Sequence, residues 1–256
     1  MEKVSAVIIT KNEEKNLPDC LESVKWADEI LVVDSFSADR TVEIAQSSGA
    51  RVLQRRFTTY PDQKNWAYAQ ASHPWIINLD ADERVTEELR AEIQNLLLTG
   101  PAHDAYYIYR RNYAFGYEIR HGGWNQDKIL RFLHRDRCRY SPREVHADIE
   151  LHSPPGMLRG KIIHLTYGDF DDYFKKFGAF TSGTAVDMQR EGKRGGVFQL
   201  LFNPAWSFLR MYVFRLGFLD GRVGLILAVL SAFYTFTKYA KLWLLQRPAE
   251  EPPAGS

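Results

Sequence analysis

Two carboxylates one residue apart, Asp80 and Asp82, follow an apolar run at residues 75–79. Carboxylate oxygens are preferred ligands of Mg²⁺ and Mn²⁺, and such a cation can also bind the phosphate oxygens of a nucleotide. A cation held here would neutralise the charge of a diphosphate leaving group. The same D-x-D spacing can also form an acidic turn that caps the next helix, so the surrounding elements must decide between the two interpretations.

The first hundred residues alternate between short apolar runs and helical patterns, which predicts a Rossmann-like α/β fold with a parallel sheet. The predicted strands are 4–9, 29–33, 51–54 and 75–79, and the predicted helices are 17–24, 41–48 and 62–71. Right-handed crossovers bring the carboxyl ends of parallel strands to one edge, where ligands bind. Thr10, Asp34 and Asp80 each follow one of these strands, so we expect them to converge there.

The later sequence predicts an acceptor half and a separate helical module. A helix at 87–98, strands at 105–113 and 128–133 and a helix at 169–190 surround or follow a glycine-rich aromatic loop at 115–124. The glycine-rich break at Gly192 predicts a catalytic domain at 1–191, with a donor half to about residue 100 and an acceptor half from about 101. A helical module at 192–247 and a proline-rich disordered tail at 248–256 follow.

Composition excludes several classes of protein. A chain of 256 residues with 45% hydrophobic content can bury a substantial core, which excludes general disorder. The two cysteines, Cys20 and Cys138, provide no disulfide framework or metal knuckle. The N-terminal apolar run is about six residues, shorter than the roughly 7–15 of a signal-peptide core, so we expect a cytoplasmic catalytic half.

The C-terminal module combines aromatic and aliphatic side chains with a local positive charge. Residues 190–247 hold nine Lys/Arg against two acids, a net charge of +7 in a chain whose total is +1. The uninterrupted apolar stretch at 223–237 is shorter than the roughly 20 residues needed to span a bilayer. Amphipathic helices of this composition bind anionic membrane surfaces, so we predict a membrane-associating module; a helical lid or a homo-oligomer interface stays open. Because the basic residues lie among apolar runs, nucleic acid is not an expected partner.

Four ordered motifs carry a resemblance to a known family. The second strand ends in Asp34-Ser35-Phe36-Ser37-Ala38-Asp39-Arg40-Thr41, which has the form D-S-x-S-x-D-x-T. The other three are the strand and turn at 6–13, the segment 62–67 and the segment 79–83. Together they resemble glycosyltransferase family 2, the inverting enzymes of the GT-A fold. Within that family the chain is similar to the lipopolysaccharide-core branch.

The resemblance implies a donor site for a nucleoside diphosphate sugar, with a UDP sugar expected. Thr10 and Glu13 would line the nucleoside pocket, Asp34 would accept a hydrogen bond from the base, and Lys64 would contact the donor phosphates. Two of these residues have simpler interpretations. Asp34 could cap the turn that follows it, and Lys64 could be a solvated helix lysine.

The resemblance also implies a divalent cation, Mn²⁺ or Mg²⁺. Asp82 would be its principal ligand and Asp80 would face the ribose or the metal. His146, in the segment 143–148, would complete the metal shell or touch the phosphates, although a lone histidine is often structural. His164 is a weaker candidate for the same role. Ala147 departs from the acid that this branch carries at that position.

An inverting transfer needs a general base to take the proton of the attacking hydroxyl. In the family a carboxylate does this shortly before a D-x-x-L-R-like stretch, and Asp127 precedes Leu130 and Arg131 here. The alternative is that Asp127 only pairs with Arg131 four residues later. Gln126 replaces the acid that many relatives carry before this aspartate.

The expected function is a metal-dependent hexosyltransferase that acts on a lipid-linked or lipopolysaccharide-core saccharide. It would be bound peripherally to the inner face of the cytoplasmic membrane. Two alternatives remain: a transferase whose acceptor is a polyprenyl phosphate, and a non-catalytic scaffold that binds nucleotide sugars. The sugar and the linkage depend on a few hydrogen bonds that no motif here encodes.

Overall fold

A central mixed β-sheet organises the computed structural model, which describes residues 2–141, 149–151 and 153–247. The chain divides into two compact units. The first comprises Met1–Asn112 and Gln126–Thr166, and the second comprises Tyr113–Asn125 and Tyr167–Ser256. The expected tail at 248–256 and the residues 142–148 lie outside the described residues.

Eleven strands occur in the described part of the chain. They are β1 Val4–Thr10, β2 Glu29–Asp34, β3 Arg51–Gln54, β4 Trp75–Asp80, β5 Glu83–Val85, β6 Ala105–Ala114, β7 Tyr117–Glu118, β8 Lys128–His134, β9 Cys138–Tyr140, β10 Ile149–Leu151 and β11 Gly156–Tyr167.

Seven α-helices occur in the same ranges. They are α1 Leu17–Ser23, α2 Thr41–Ser47, α3 Tyr60–Gln70, α4 Glu87–Thr99, α5 Phe170–Arg190, α6 Val197–Leu209 and α7 Gly221–Leu245. A short 3₁₀ turn covers Trp124–Gln126, a π-turn covers Arg210–Phe214 and a second 3₁₀ turn covers Gly217–Asp220.

The sheet has a parallel half and an antiparallel half. Its main order is β3-β2-β1-β4-β8-β6-β11-β5. Strands β3, β2, β1 and β4 are parallel, whereas β8 runs antiparallel to β4 and β6. The predicted fold class, an α/β sheet followed by a helical module, is confirmed.

Two apolar cores cover the two faces of the parallel half. Successive residues of β1 point to opposite faces, so Ala6 and Ile8 join the core under α1, α2 and α4, whereas Val7 joins the core under α3. The β9–β10 hairpin contributes to the second core beside α3. Burial on both faces explains why these strands are almost continuously apolar.

Several strands were absent from the sequence prediction. Strand β11 alternates regularly, since Leu158, Gly160 and Ile162 are buried and the residues between them are exposed. Gly160 allows α4 to approach closely, because an added Cβ would lie 2.4 Å from the Cα of Leu89. Strand β5 pairs with β11 and thereby extends the sheet directly after the two aspartates.

The second unit is a helical assembly in which α5 and α6 both pack against α7. Its glycine-rich loop is anchored within the unit. The ring and the backbone amide of His121 contact the carboxylate of Asp220 at 2.8 and 2.9 Å. Gly123 has a φ of +94°, and a Cβ there would lie 2.3 Å from a guanidinium nitrogen of Arg215.

Helix α6 turns its apolar side chains toward solvent. It has no buried residue, and Phe198, Leu201 and Trp206 are 67%, 69% and 47% exposed. The polar Ser207 faces inward instead, and its hydroxyl lies 3.0 Å from that of Ser231 on α7. This orientation is the reverse of that in a helix that packs on a soluble core.

Helix α7 is longer than the apolar stretch on which the sequence argument relied. It runs for 25 residues. The helical segment Gly217–Leu245 is long and apolar enough to cross a membrane by length and composition alone. The length of the apolar stretch at 223–237 therefore understates the length of the folded helix.

Candidate active site

The carboxyl ends of three neighbouring strands bring the predicted donor residues to one edge of the first unit. Thr10 pairs with Asp34 across β1 and β2, and Ile9 pairs with Asp80 across β1 and β4. The loops that follow β1 and β2 are joined, since the Asn12 amide donates to Ser37 Oγ at 2.8 Å. Asn12 and Phe36 both have left-handed backbone conformations, with φ of 56° and 59°.

Thr10 presents an unsatisfied polar atom at this edge. The residue is 3% exposed, and its Oγ1 has no hydrogen-bond partner in the described part of the chain. A buried hydroxyl without a partner is costly, and native proteins seldom leave one in place. The expected role of Thr10 in the nucleoside pocket stays a prediction.

Asp34 is fully buried and already bonded within the protein. Its carboxylate accepts from the Ser37 amide at 3.0 Å, from Gln54 Nε2 at 3.0 Å and from the Ser37 hydroxyl. The turn-capping interpretation of Asp34 therefore describes its contacts. A role in binding the nucleotide base stays a prediction.

Glu13 lies in the loop between β1 and α1, and Lys64 lies on α3. The Glu13 carboxylate accepts from Asn16 Nδ2 at 2.8 Å, and the Glu13 amide donates to Thr41 Oγ1 at 2.8 Å. Lys64 Nζ lies 5.5 Å from the ring centre of Tyr140. Its charge also reaches Asp80, because Lys64 is among the groups that lower the pKa of that carboxyl.

A buried ion-pair network surrounds Asp80. Arg131, which is 5% exposed, donates to the Asp80 carboxylate, to Glu83 Oε1 at 2.9 Å and to Asn78 Oδ1 at 2.9 Å. Partial burial would raise the pKa of Asp80, but the charges of Arg131 and Lys64 outweigh it and hold that pKa well below its ordinary value. Asp80 is thus ionised and held in place by protein contacts.

Asp82 is close to a histidine. Its Oδ2 lies 3.8 Å from Nε2 of His164, and the other ring nitrogen of His164 lies 2.7 Å from Oδ1 of Asn112. Asp82 and His164 are 16% and 14% exposed. The two side chains thus form a partly buried oxygen and nitrogen pair at the end of β4.

This pair fits a divalent cation that is shared with a nucleotide. Within residues 2–141, 149–151 and 153–247 there is no group of three His, Cys, Asp or Glu that could hold a metal alone. Mg²⁺ is commonly bound by one or two carboxylates together with substrate phosphates, and imidazole is a suitable ligand for transition metals. His146, the predicted additional ligand, lies outside the described residues.

Asp127 is held by residues of β6. Arg110 approaches its Oδ2 with two nitrogens, Nε and Nη2, each at 2.7 Å, and Asn112 Nδ2 donates to the same oxygen at 3.2 Å. The other carboxylate oxygen, Oδ1, is therefore the one left to accept a proton. The alternative pairing of Asp127 with Arg131 is not what the structure shows, because Arg131 bonds Asp80 and Glu83 instead.

The sequence analysis missed the residues that link these groups. Glu83 is completely buried and bonds both Arg131 at 2.9 Å and Arg110 at 3.3 Å. Arg110 also bonds Asp127, so one chain of ion pairs runs from Asp80 to Asp127. No sequence signal pointed to Glu83, because β5, the strand that it begins, was not among the predicted strands.

Comparisons with known proteins agree with the motifs. The family model described as glycosyl transferase family 2 matches residues 5–151. The chain is 34% identical to the lipopolysaccharide core biosynthesis glycosyltransferase LpsC of Rhizobium meliloti, over 94% of this chain and 92% of that protein. It is 28% identical to an uncharacterised glycosyltransferase of Rickettsia prowazekii, over 94% of this chain and 87% of that protein.

Among solved structures, the chain is similar to the glucosyl-3-phosphoglycerate synthase of Mycobacterium tuberculosis in a complex with Mn²⁺, UDP and glucosyl-3-phosphoglycerate. That similarity has a TM-score of 0.39 and 23% identity, and it covers 43% of this chain and 44% of the other. The family match spans more than half of the chain, and the likeness to LpsC confirms the expected resemblance to the lipopolysaccharide-core branch. This chain belongs to glycosyltransferase family 2.

Proposed function

We propose that this protein is an inverting glycosyltransferase that moves a hexose from a nucleoside diphosphate sugar, with UDP as the nucleotide, to a lipid-linked or lipopolysaccharide-core saccharide. The observation that carries the proposal is one edge of a parallel sheet, where the ends of β1, β2 and β4 bring together the positions of Thr10, Asp34 and Asp80, with Asp82 directly after β4. Carboxylates at the ends of parallel strands suit a nucleotide diphosphate with its cation.

Asp82 and His164 are the residues that would hold a divalent cation. Bound with the donor, the cation would neutralise the negative charge that develops on the departing diphosphate. Lys64 supplies a further positive charge beside Asp80. Arg131 keeps the Asp80 carboxylate ionised and fixed, so its orientation toward the donor is set before the donor binds.

Asp127 is the proposed general base. It would take the proton of the acceptor hydroxyl as that oxygen attacks the anomeric carbon from the side opposite the diphosphate, which inverts the configuration. Arg110 and Asn112 both bond Oδ2, so they orient Oδ1 for this transfer.

The acceptor and location are proposed from two observations. The relative LpsC is named for lipopolysaccharide core biosynthesis. The second unit exposes the apolar face of α6, which is flanked by the exposed cations Arg194 and Arg210. Apolar faces bordered by basic residues bind the surfaces of anionic membranes, so we place the protein peripherally on the inner face of the cytoplasmic membrane.

A transfer assay tests the proposal. Radiolabelled UDP-glucose and other UDP sugars are incubated with the enzyme, Mn²⁺ and a lipopolysaccharide-core acceptor, and the labelled product is separated by solvent partition. Wild type should transfer label with inversion, and Asp127→Asn should lose at least about a hundredfold in rate, as expected for removal of a general base. Asp136→Asn, which changes an aspartate whose side chain is 65% exposed, is the matched control and should be unaffected.

Three results would contradict the proposal. Transfer with retained configuration would exclude this role of Asp127. Equal activity of wild type and Asp127→Asn would exclude it as the base. Label that appears only on a polyprenyl phosphate would identify a different acceptor class.

A further inference from the structure

The second unit contains an apolar cavity that the transfer reaction does not use. Its volume is about 330 Å³. That lies within the roughly 300–1,000 Å³ of typical small-molecule sites. The wall consists of Trp124, Tyr167, Tyr173, Phe180, Met211, Leu227, Leu230, Ser231 and Tyr234.

The polar atoms of this wall are mostly bonded within the protein. The Tyr173 hydroxyl donates to the Leu230 carbonyl at 3.2 Å, and the Tyr234 hydroxyl lies 2.8 Å from Thr184 Oγ1. The Ser231 hydroxyl is paired with Ser207 at 3.0 Å. A sugar would need free donors and acceptors here, whereas a hydrocarbon chain needs none.

The wall also lacks charge and sits in an apolar environment. None of the nine wall residues carries a formal charge. Burial raises the pKa of Tyr173 to about 12. Apolar cavities of this kind tend to bind apolar ligands rather than ordered water.

The cavity is open beside exposed apolar residues. Phe180 is the wall residue most open to solvent, at 50% exposed, and Phe174 on the same helix is equally exposed. Phe233, next to the wall on α7, is 46% exposed. A chain that entered the cavity from a bilayer would therefore pass over apolar side chains.

A cation lies next to the same wall. Lys238 Nζ is 5.6 Å from the ring centre of Tyr234, and Lys238 has no carboxylate partner in the described part of the chain. Lys241 lies nearby, since its ammonium donates to the Gly178 carbonyl at 3.0 Å and to Thr181 at 2.7 Å. These charges suit the anionic head of the molecule whose chain fills the cavity.

We propose that this cavity binds an acyl chain of an anionic bilayer phospholipid, with Lys238 beside the phosphate. The proposal rests on the proposed membrane association of the second unit, which it deepens by adding a discrete lipid site to the surface contact. Trp124, which forms part of the wall, precedes the proposed base Asp127 by three residues along the chain. A bound acyl chain would contact Trp124, which makes this residue a probe of the site.

Quenching by brominated lipid tests the proposal, because bromine on an acyl chain quenches a tryptophan that it touches. Two probes are used: dibromostearate in solution, and vesicles of phosphatidylglycerol with dibrominated chains. Because Trp206 is 47% exposed on the proposed membrane face of α6, both probes are applied in a Trp206→Phe background. Both should quench this protein saturably, and adding Trp124→Phe should remove most of the saturable quenching. Leu230→Trp fills the cavity and should weaken dibromostearate binding by about tenfold or more, whereas Val229→Trp, which adds the same bulk at a 51% exposed neighbour, should not.

The charge of the lipid head is tested separately. Lys238→Gln should weaken binding of dibromostearate and leave its neutral methyl ester unaffected. Lys175→Gln, at an exposed position of α5, is the control. Thermal unfolding of each variant checks that the fold is kept, and Ser231→Leu is a milder cavity-filling change if Leu230→Trp does not fold.

The outcomes separate this inference from the membrane proposal. Co-sedimentation of wild type and Leu230→Trp with vesicles tests surface binding, which both should retain. Vesicle binding without saturable quenching at Trp124 would overturn the cavity site and leave the membrane proposal standing. Quenching by free dibromostearate but not by phospholipid vesicles would overturn the assignment to a bilayer lipid. Equal dibromostearate binding by Leu230→Trp and wild type would also overturn the cavity as the binding site.

Discussion

Replacement of Arg131 by methionine should destabilise the first unit strongly. The guanidinium is 5% exposed and bonds the completely buried Glu83 and the partly exposed Asp80. Methionine keeps much of the side-chain volume but removes the guanidinium that bonds both the Asp80 and the Glu83 carboxylates. Removal of one partner of a buried ion pair typically costs about 3–5 kcal/mol, so the free energy of unfolding should fall by that amount.

The matched control is Arg40→Met. Arg40 pairs with Glu43 at 2.9 Å, but the two side chains are 71% and 61% exposed. Exposed pairs contribute about 0–1 kcal/mol, so this variant should unfold close to wild type. The two variants should therefore differ by about 2–5 kcal/mol, and at about 2–4 °C per kcal/mol this amounts to roughly 4–20 °C in the unfolding midpoint of the first unit.

The stability lost in Arg131→Met should depend on pH. The pKa of Asp80 is lowered from 3.8 in the folded protein, so its ion pair stabilises the fold above that value and ceases to do so as the pH falls through the folded pKa. The gap between wild type and Arg131→Met should therefore narrow when the pH is reduced below about 4. Urea unfolding at pH 7 and pH 3 measures this gap. A loss at pH 7 no larger than that of Arg40→Met, or a gap that does not depend on pH, would refute the reasoning.

Three further predictions concern the donor site and the membrane surface. Thr10→Val should leave thermal stability unchanged or slightly higher, because the lost hydroxyl has no partner in the described part of the chain, but it should weaken UDP binding by about 2- to 13-fold. The control Thr41→Val loses hydrogen bonds to Glu13 and Asp39 and should instead destabilise the fold by about 1–2 kcal/mol. His164→Gln should raise the Mn²⁺ concentration needed for UDP binding by about tenfold or more in a titration, and an unchanged requirement would exclude His164 as a ligand. Phe198→Asp should reduce co-sedimentation with anionic vesicles by about ten- to a hundredfold. The control Leu98→Asp, at a 65% exposed position of α4, should not reduce it, and equal losses in the two variants would contradict the proposed membrane surface.

The parallel half of the fold could be predicted from the sequence because its signals are local. Apolar runs bounded by polar turns define β1 to β4, and each of these strands begins at the predicted residue and ends at most one residue later than predicted. The D-x-D segment and the D-S-x-S-x-D-x-T segment are also contiguous in sequence. Their positions at one sheet edge follow from the topology of parallel strands alone.

The ion-pair network could not be predicted in the same way. Asp80, Arg110 and Arg131 come from β4, β6 and β8, and they meet only because β8 runs antiparallel between the other two strands. Helical spacing suggested Arg131 as a partner of Asp127, but Arg131 lies in a strand, where residues four apart are not in contact. Long-range pairing of this kind leaves no periodic trace in the sequence.

The orientation of α6 was likewise not readable. Apolar side chains at helical spacing define a stripe, but the same stripe arises whether it faces a core or faces outward. The structure identifies the inner side of α6 by the pairing of Ser207 with Ser231 on α7 and by the packing of Phe208 on the adjacent core. The composition of the module was therefore informative about membrane affinity and uninformative about which face provides it.

The central claim is that the edge of the sheet at Asp82 binds a nucleotide together with a divalent cation. Isothermal titration of UDP into wild type, Asp82→Asn and Asp136→Asn, each with Mn²⁺ and with a chelator, tests it most directly. We expect UDP to bind wild type and Asp136→Asn only with Mn²⁺, and Asp82→Asn to bind at least about tenfold more weakly. Equal binding by Asp82→Asn and wild type, or no binding of UDP, GDP or CMP to wild type with Mn²⁺ present, would contradict the claim.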